Sequence, residues 1–132
     1  MEMKITFPGG KKVDAEMNGR VIKTDQPLSS GGEGRAPSPF DYFLASIGTC
    51  AGVYALSFCQ QRGIDTEGMY LTQRVEFKTE DGKSRLASVA IEITLPPDFP
   101  EKYHNAIVKT AELCAVKKAI TAPPEFAITI RQ

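Results

Sequence analysis

Three side chains in this chain are capable of thiol chemistry: Cys50, Cys59 and Cys114. The first two share the run ASIGTCAGVYALSFC, which carries no charge, and stand nine positions apart. On a helix that separation is a rotation of about 900° and a rise of about 13.5 Å, so the two point to opposite sides. Disulfide geometry needs Cα atoms within about 7 Å, so they cannot pair within one helix. Cys114, on the apolar stripe of a second expected helix, is the intrachain partner left for Cys50; the sequence permits that pair and does not require it. A reactive cysteine is a thiolate, and Cys50 lies too deep in its helix to draw much from the positive N-terminus. A cation must supply that help. Arg35, in the loop before the helix, and Arg20, further upstream, are the candidates, and each reads equally as a solvated surface arginine. Free cysteine is also a common small core hydrophobe, so packing and reactivity both stand at this point.

Composition removes several other classes of function. Sixteen basic and sixteen acidic side chains leave no net charge, and no block of like charge offers a footprint for nucleic acid. The single histidine, His104, has no metal-ligand companion at a recognisable spacing and there is no CxxC, so neither a zinc site nor any other cofactor is expected. An odd, small number of cysteines does not suit a secreted disulfide framework, and MEMKITFPGG lacks the apolar core of a secretory signal. These features place the protein in the cytoplasm with its thiols reduced. The apolar run from Phe43 to Cys59 falls short of the roughly 20 residues of a membrane span and includes Ser46, Thr49 and Ser57, so it reads as a buried helix of a soluble protein.

The elements that must position these residues make an α+β chain, expected to be a single domain over 1–132. Residues 1–25 read as an antiparallel β-meander, with Asn18-Gly19 the strongest hairpin signal because a type I′ turn needs positive φ at both central residues. QPLSSGGEGRAPSP, over 26–38, reads as a mobile loop. Ser38-Pro39-Phe40-Asp41 then supplies a cap, a first-turn proline and an acid at capping-box spacing, opening a helix over 39–62 that Arg62-Gly63 closes. Alternating apolar residues predict a long hairpin over 69–96. Asp98 to Glu101 resembles a second capping box, opening a helix over 98–120 with Tyr103, Ile107, Ala111 and Cys114 on one stripe. Phe126, Ile128 and Ile130 alternate in a last strand over 125–131.

The helix over 39–62 is apolar nearly all round, and such a helix must be surrounded by protein. Ala45, Gly48, Gly52 and Ala55 would let another helix approach closely. A homodimer follows as one expectation, and a central helix wrapped by its own sheet as the other.

The string GRAPSPFDYFLASIGTCAGVYALSF, with AELCAVKKAI downstream, resembles the OsmC/Ohr family of osmotically induced and organic hydroperoxide resistance proteins, and most closely its OsmC-like branch. The likeness spans essentially the whole chain. It implies an intertwined α+β homodimer with central buried helices, and thiol-dependent reduction of organic hydroperoxides and possible use of hydrogen peroxide. By the resemblance Cys50 is the peroxidatic cysteine and Cys114 the resolving one, with an external dithiol, such as a lipoylated protein, as reductant. Cys59 matches no functional position of the family. Where Ohr-type members carry a glutamate this chain has Phe40, with its acid one place later at Asp41. That shift turns a helical side chain by about 100°, so Asp41 either caps its helix or serves the thiol. GGKK, Gly9 to Lys12, stands where a Gly-Gly-Arg is expected, and Arg35 aligns with the basic residue of the OsmC-like branch. The departures leave a second expectation: a non-catalytic dimer that senses redox state or holds a small hydrophobic ligand.

Overall fold

In the computed structural model, which describes residues 1–132, the chain forms two compact units, Met1–Ala45 and Ser46–Gln132. The division falls inside an unbroken helix, Pro39–Gln61, rather than in a linker.

The first unit opens with strands β1 (Lys4–Gly9), β2 (Lys12–Met17) and β3 (Arg20–Thr24) in an antiparallel sheet of that order. Asn18 and Gly19 take φ of 48° and 72° between the paired Met17 and Arg20, which is the two-residue turn that Asn-Gly favours. The β1–β2 register shifts between Thr6 and Gly9, around Pro8, which has no N–H to give the ladder. The segment after β3, read as a loop over 26–38, carries local hydrogen bonds. Its Gly34 N–H donates to the Gln26 carbonyl (3.0 Å), its Gly32 N–H donates to the Pro27 carbonyl (3.1 Å), and Leu28–Ser30 form one 3₁₀ turn. Gly32 has a specific reason to be glycine, since a Cβ there would overlap the Gln26 carbonyl.

Helix α1 (Pro39–Gln61) starts where its capping signals put it. The Asp41 N–H donates to Ser38 Oγ (3.1 Å) and the Ser38 N–H donates to Asp41 Oδ2 (3.0 Å), a reciprocal capping box. It ends in a Schellman motif. Gly63, at φ 65°, donates its N–H to the Gln60 carbonyl, and Ile64 donates to that of Cys59. α1 is long and apolar enough to cross a membrane, a test that a soluble core helix also passes.

In the second unit, β4 (Tyr70–Glu80) and β5 (Lys83–Thr94) form an antiparallel hairpin closed by Asp81 and Gly82, both at positive φ, between the paired Glu80 and Lys83. Ala55, Phe58 and Cys59 of α1 bury themselves against Ile107, with Ile93, Leu95, Met69 and Tyr103 packed round them. Gly48 and Gly52 turn to β4, where a Cβ would meet Gln73 and Leu71, and Ala55 lies in the core. Those three small residues are therefore accounted for by the chain's own packing, not by a second helix. Val53 (57% exposed) and Leu56 form a face of α1 that the chain leaves open.

Two further expectations are corrected. The helix over 98–120 is three pieces: a 3₁₀ turn at Glu101–Tyr103, helix α2 (His104–Ala111) and helix α3 (Ala115–Thr121). Asp98 takes φ 62° and the 3₁₀ turn has no side-chain cap, so the expected capping box does not form. Between α2 and α3, Cys114 leaves helical geometry, at φ −57° and ψ 140°, and its sulfur replaces a backbone carbonyl as the acceptor for the Lys117 N–H. The last strand, over 125–131, is also absent. Phe126, Ile128 and Ile130 are 86%, 99% and 91% exposed, because neither sheet in the chain pairs with this segment.

Candidate functional site

The second unit holds a cavity of about 540 Å³ whose walls follow from element periodicity. β5 presents Val89, Ile91, Ile93 and Leu95, every second residue and hence one face of the strand and its end. α1 presents Ile47 and Ala51, one turn apart, and α2 presents Ile107 and Ala111 likewise. His104, Glu112 and Lys117 are the polar members of an otherwise apolar lining. Such a space suits a small organic molecule with an apolar body.

Cys114 lies in this wall, 2% exposed, and its Sγ accepts the Lys117 backbone N–H at 3.4 Å. Cys50 is half-buried on α1, next to the lining residue Ala51 but about 100° further round the helix, and it is not itself part of the wall. All three cysteines are free thiols. Cys59 is fully enclosed by Ala55, Phe58 and Ile107; loss of solvent raises its pKa, against a smaller opposing pull from the Arg62 charge. It is a core residue.

Arg35 and Asp41 have local partners in the first unit. The Arg35 guanidinium is well exposed, with Nε 3.7 Å from Glu33 Oε2, and Glu33 also pairs with Lys12 at 3.2 Å. Asp41 is committed to the cap of α1, where one of its oxygens accepts the Ser38 N–H. Arg20 closes the turn between β2 and β3, opposite Met17.

Sequence reasoning passed over Asp25, the one buried charged residue, at 1% exposure. Its carboxylate accepts the backbone N–H groups of Gln26 (2.7 Å) and Arg35 (3.0 Å), while its own N–H donates to the Pro37 carbonyl (3.2 Å). The Arg35 bond is the main cause of a pKa below the usual carboxylate value; burial opposes it, and bonds from Gln26 and Glu33 and the Lys12 charge add to it. One carboxylate thus gathers both ends of the loop that delivers the chain to α1. The available signal was an acid placed directly between a strand and a Gly/Ser/Pro-rich loop, where Asp side chains bond nearby backbone.

The family model for OsmC-like proteins matches residues 31–129. The chain belongs to the OsmC-like family. No curated protein sequence matches it. Among solved structures, the OsmC-like chain is similar to a Psychrobacter arcticus protein described as an osmotic stress induced and detoxification response protein, with 25% identity over 89% of this chain and 85% of that one and a TM-score of 0.74. An organic hydroperoxide resistance protein OsmC of Legionella pneumophila is 23% identical over 91% and 89%, with a TM-score of 0.62. A Vibrio cholerae protein described as an organic hydroperoxide resistance protein, with captopril bound in one of the active sites, is 19% identical over 93% and 86%, with a TM-score of 0.62. The last two likenesses are to the OsmC-like fold: antiparallel strands with three helices.

Proposed function

We propose that this OsmC-like protein is a thiol-dependent peroxidase for organic hydroperoxides, working in the cytoplasm as a homodimer. The observation that carries the reading is an apolar cavity with Cys114 in its wall and Cys50 beside its lining residue Ala51. Neighbours named for hydroperoxide resistance, one of them with captopril in an active site, support it. The open apolar face of α1 and the exposed alternating residues of 126–130 support the dimer.

In this reaction the Cys50 thiolate attacks the terminal peroxide oxygen, the O–O bond breaks, and the alkoxide takes a proton and leaves as the alcohol. Cys50 becomes a sulfenic acid, oxidised by two electrons. The Cys114 sulfur then bonds to it, and the sulfenic oxygen departs as water with the thiol proton. An external dithiol, such as a lipoylated protein, returns two electrons and two protons and becomes a disulfide itself. An apolar wall favours organic over hydrogen peroxide. Asp41 enters this proposal through the cap of α1, and Arg35 as the basic residue that the OsmC-like resemblance aligns.

The test is peptide mapping by mass spectrometry after one equivalent of an organic hydroperoxide is added to reduced protein. Rapid, selective formation of a Cys50–Cys114 disulfide is expected, and Cys50→Ser should abolish peroxide consumption. Full activity in Cys50→Ser would overturn the proposal. A second reading, a redox-sensing or hydrophobic ligand-binding dimer, is favoured by the ties of Asp41 to its cap and of Arg35 to Glu33. A small molecule retained in native mass spectrometry, with no peroxide turnover, would select it.

A further inference from the structure

The break at 112–114 has a feature that packing alone does not demand. No Gly or Pro stands there, and α2 and α3 are cut by a cysteine whose sulfur serves as the N-terminal cap of α3. In a continuous helix the Lys117 N–H would bond the carbonyl four residues back, at Leu113; here it donates to Cys114 Sγ. Cys114 is buried, yet α3 itself buries none of its residues. The helix nevertheless supplies Lys117 and Ile120 to the cavity wall. A seven-residue helix has little stability of its own, so its closed position depends on how it is anchored at the cysteine.

We propose that α3 is a redox-operated flap over the cavity, closed while Cys114 is a thiol and released when its sulfur is bonded to Cys50. The idea rests on the peroxidase reading. In the resolving step the Cys114 sulfur bonds the Cys50 sulfenic sulfur, and the oxygen leaves as water with the Cys114 proton. The new bond demands a Cβ–Cβ separation of about 3.5–4.5 Å and a defined torsion, and in the proposed flap Sγ meets that demand by leaving the Lys117 N–H. The first turn of α3 then loses its cap, and Lys117 and Ile120 leave the wall. Opening at this stage lets the product alcohol depart and exposes the disulfide, whose Cys114 half is otherwise buried, to the reducing dithiol. Two electrons and two protons from that dithiol restore both thiols, and the cap re-forms.

Hydrogen exchange of the whole protein, read by mass spectrometry before and after one equivalent of cumene hydroperoxide, tests the flap. Amides of residues 115–121 should exchange about tenfold faster in the oxidised protein, as expected for a lost cap, while those of the β4–β5 hairpin stay unchanged. In reduced protein Cys114→Ala should give the same acceleration, and Cys114→Ser, whose hydroxyl is a strong cap, should retain protection. Unchanged exchange in protein whose Cys50–Cys114 disulfide is established by mapping overturns the flap and leaves the peroxidase standing. Failure of that disulfide to form overturns the peroxidase reading and the redox control with it.

Discussion

Ala51→Leu probes the cavity and its use together. Ala51 is buried on α1 and lines the cavity of about 540 Å³, so a leucine there projects three more carbon atoms into existing space. At about 0.8 kcal/mol for each buried carbon, the gain has an upper bound of about 2.4 kcal/mol. Ordering the longer side chain costs about 0.5–1 kcal/mol, which leaves about 1.5 kcal/mol of net stabilisation. For a chain of this size that raises the melting temperature by about 5 °C. Under the proposed function the same carbons occupy room that a bulky substrate needs. Turnover of cumene hydroperoxide should fall about tenfold through a raised KM, while that of hydrogen peroxide, which needs little room, stays within about twofold. Thermal denaturation of the reduced protein and initial rates with the two peroxides supply both readouts. A destabilised variant with an unchanged ratio of rates would refute the reasoning, because the space would then be neither available to a side chain nor used by the substrate.

Other consequences follow from burial and charge. Asp25→Asn removes a carboxylate whose folded pKa lies below its ordinary value, so the stability it contributes is complete above the ordinary carboxylate range and lost as pH falls through the lowered value. Urea unfolding should accordingly show wild type more stable than Asp25→Asn at neutrality, with the gap closing in acid; a gap that widens in acid contradicts the assignment. Ile107→Ala, at a site 1% exposed in the core, should cost about 2–5 kcal/mol in the same assay, and a loss below 1 kcal/mol, roughly that of an exposed site, would contradict the core assignment. Iodoacetamide, with labelled peptides mapped over time, should modify half-buried Cys50 before buried Cys59 and Cys114, and early labelling of Cys59 would contradict its place in the core.

The parts of the fold legible in the sequence are those fixed by local chemistry. Asn18-Gly19 and Asp81-Gly82 each set a two-residue turn because the backbone there must reach positive φ. Ser38 and Asp41 start α1 because their side chains and backbone amides satisfy one another, and Gly63 ends it. Local chemistry stops being a guide where a longer-range partner decides. Cys114 has no intrinsic preference that stops a helix, and its stripe with Ile107 and Ala111 continues across the break, so periodicity could not reveal that the sulfur replaces a carbonyl. Asp98 reads as a cap by its spacing from Glu101, but spacing does not specify the φ of 62° that disables it. The role of Asp25 is not legible in the sequence because its partners are backbone amides up to ten residues away, which leave no mark in side-chain type.

The open face of α1 and the unpaired segment at 126–130 carry a different lesson. Apolar pattern encodes burial in the state that was selected, without saying which chain provides the cover. Val53 and Leu56 are exposed in the single chain, as are Phe126, Ile128 and Ile130. Under the proposed dimer these five positions meet a second copy, and the strand expected over 125–131, which pairs with neither sheet of its own chain, finds its edge there. The alternation that reads as a strand and the all-round apolar helix are then one signal, since both describe surfaces that water does not reach in the assembled protein. Gly48 and Gly52 lie outside that signal: they allow α1 to approach β4 within one chain, so the dimer rests on the exposed face and tail.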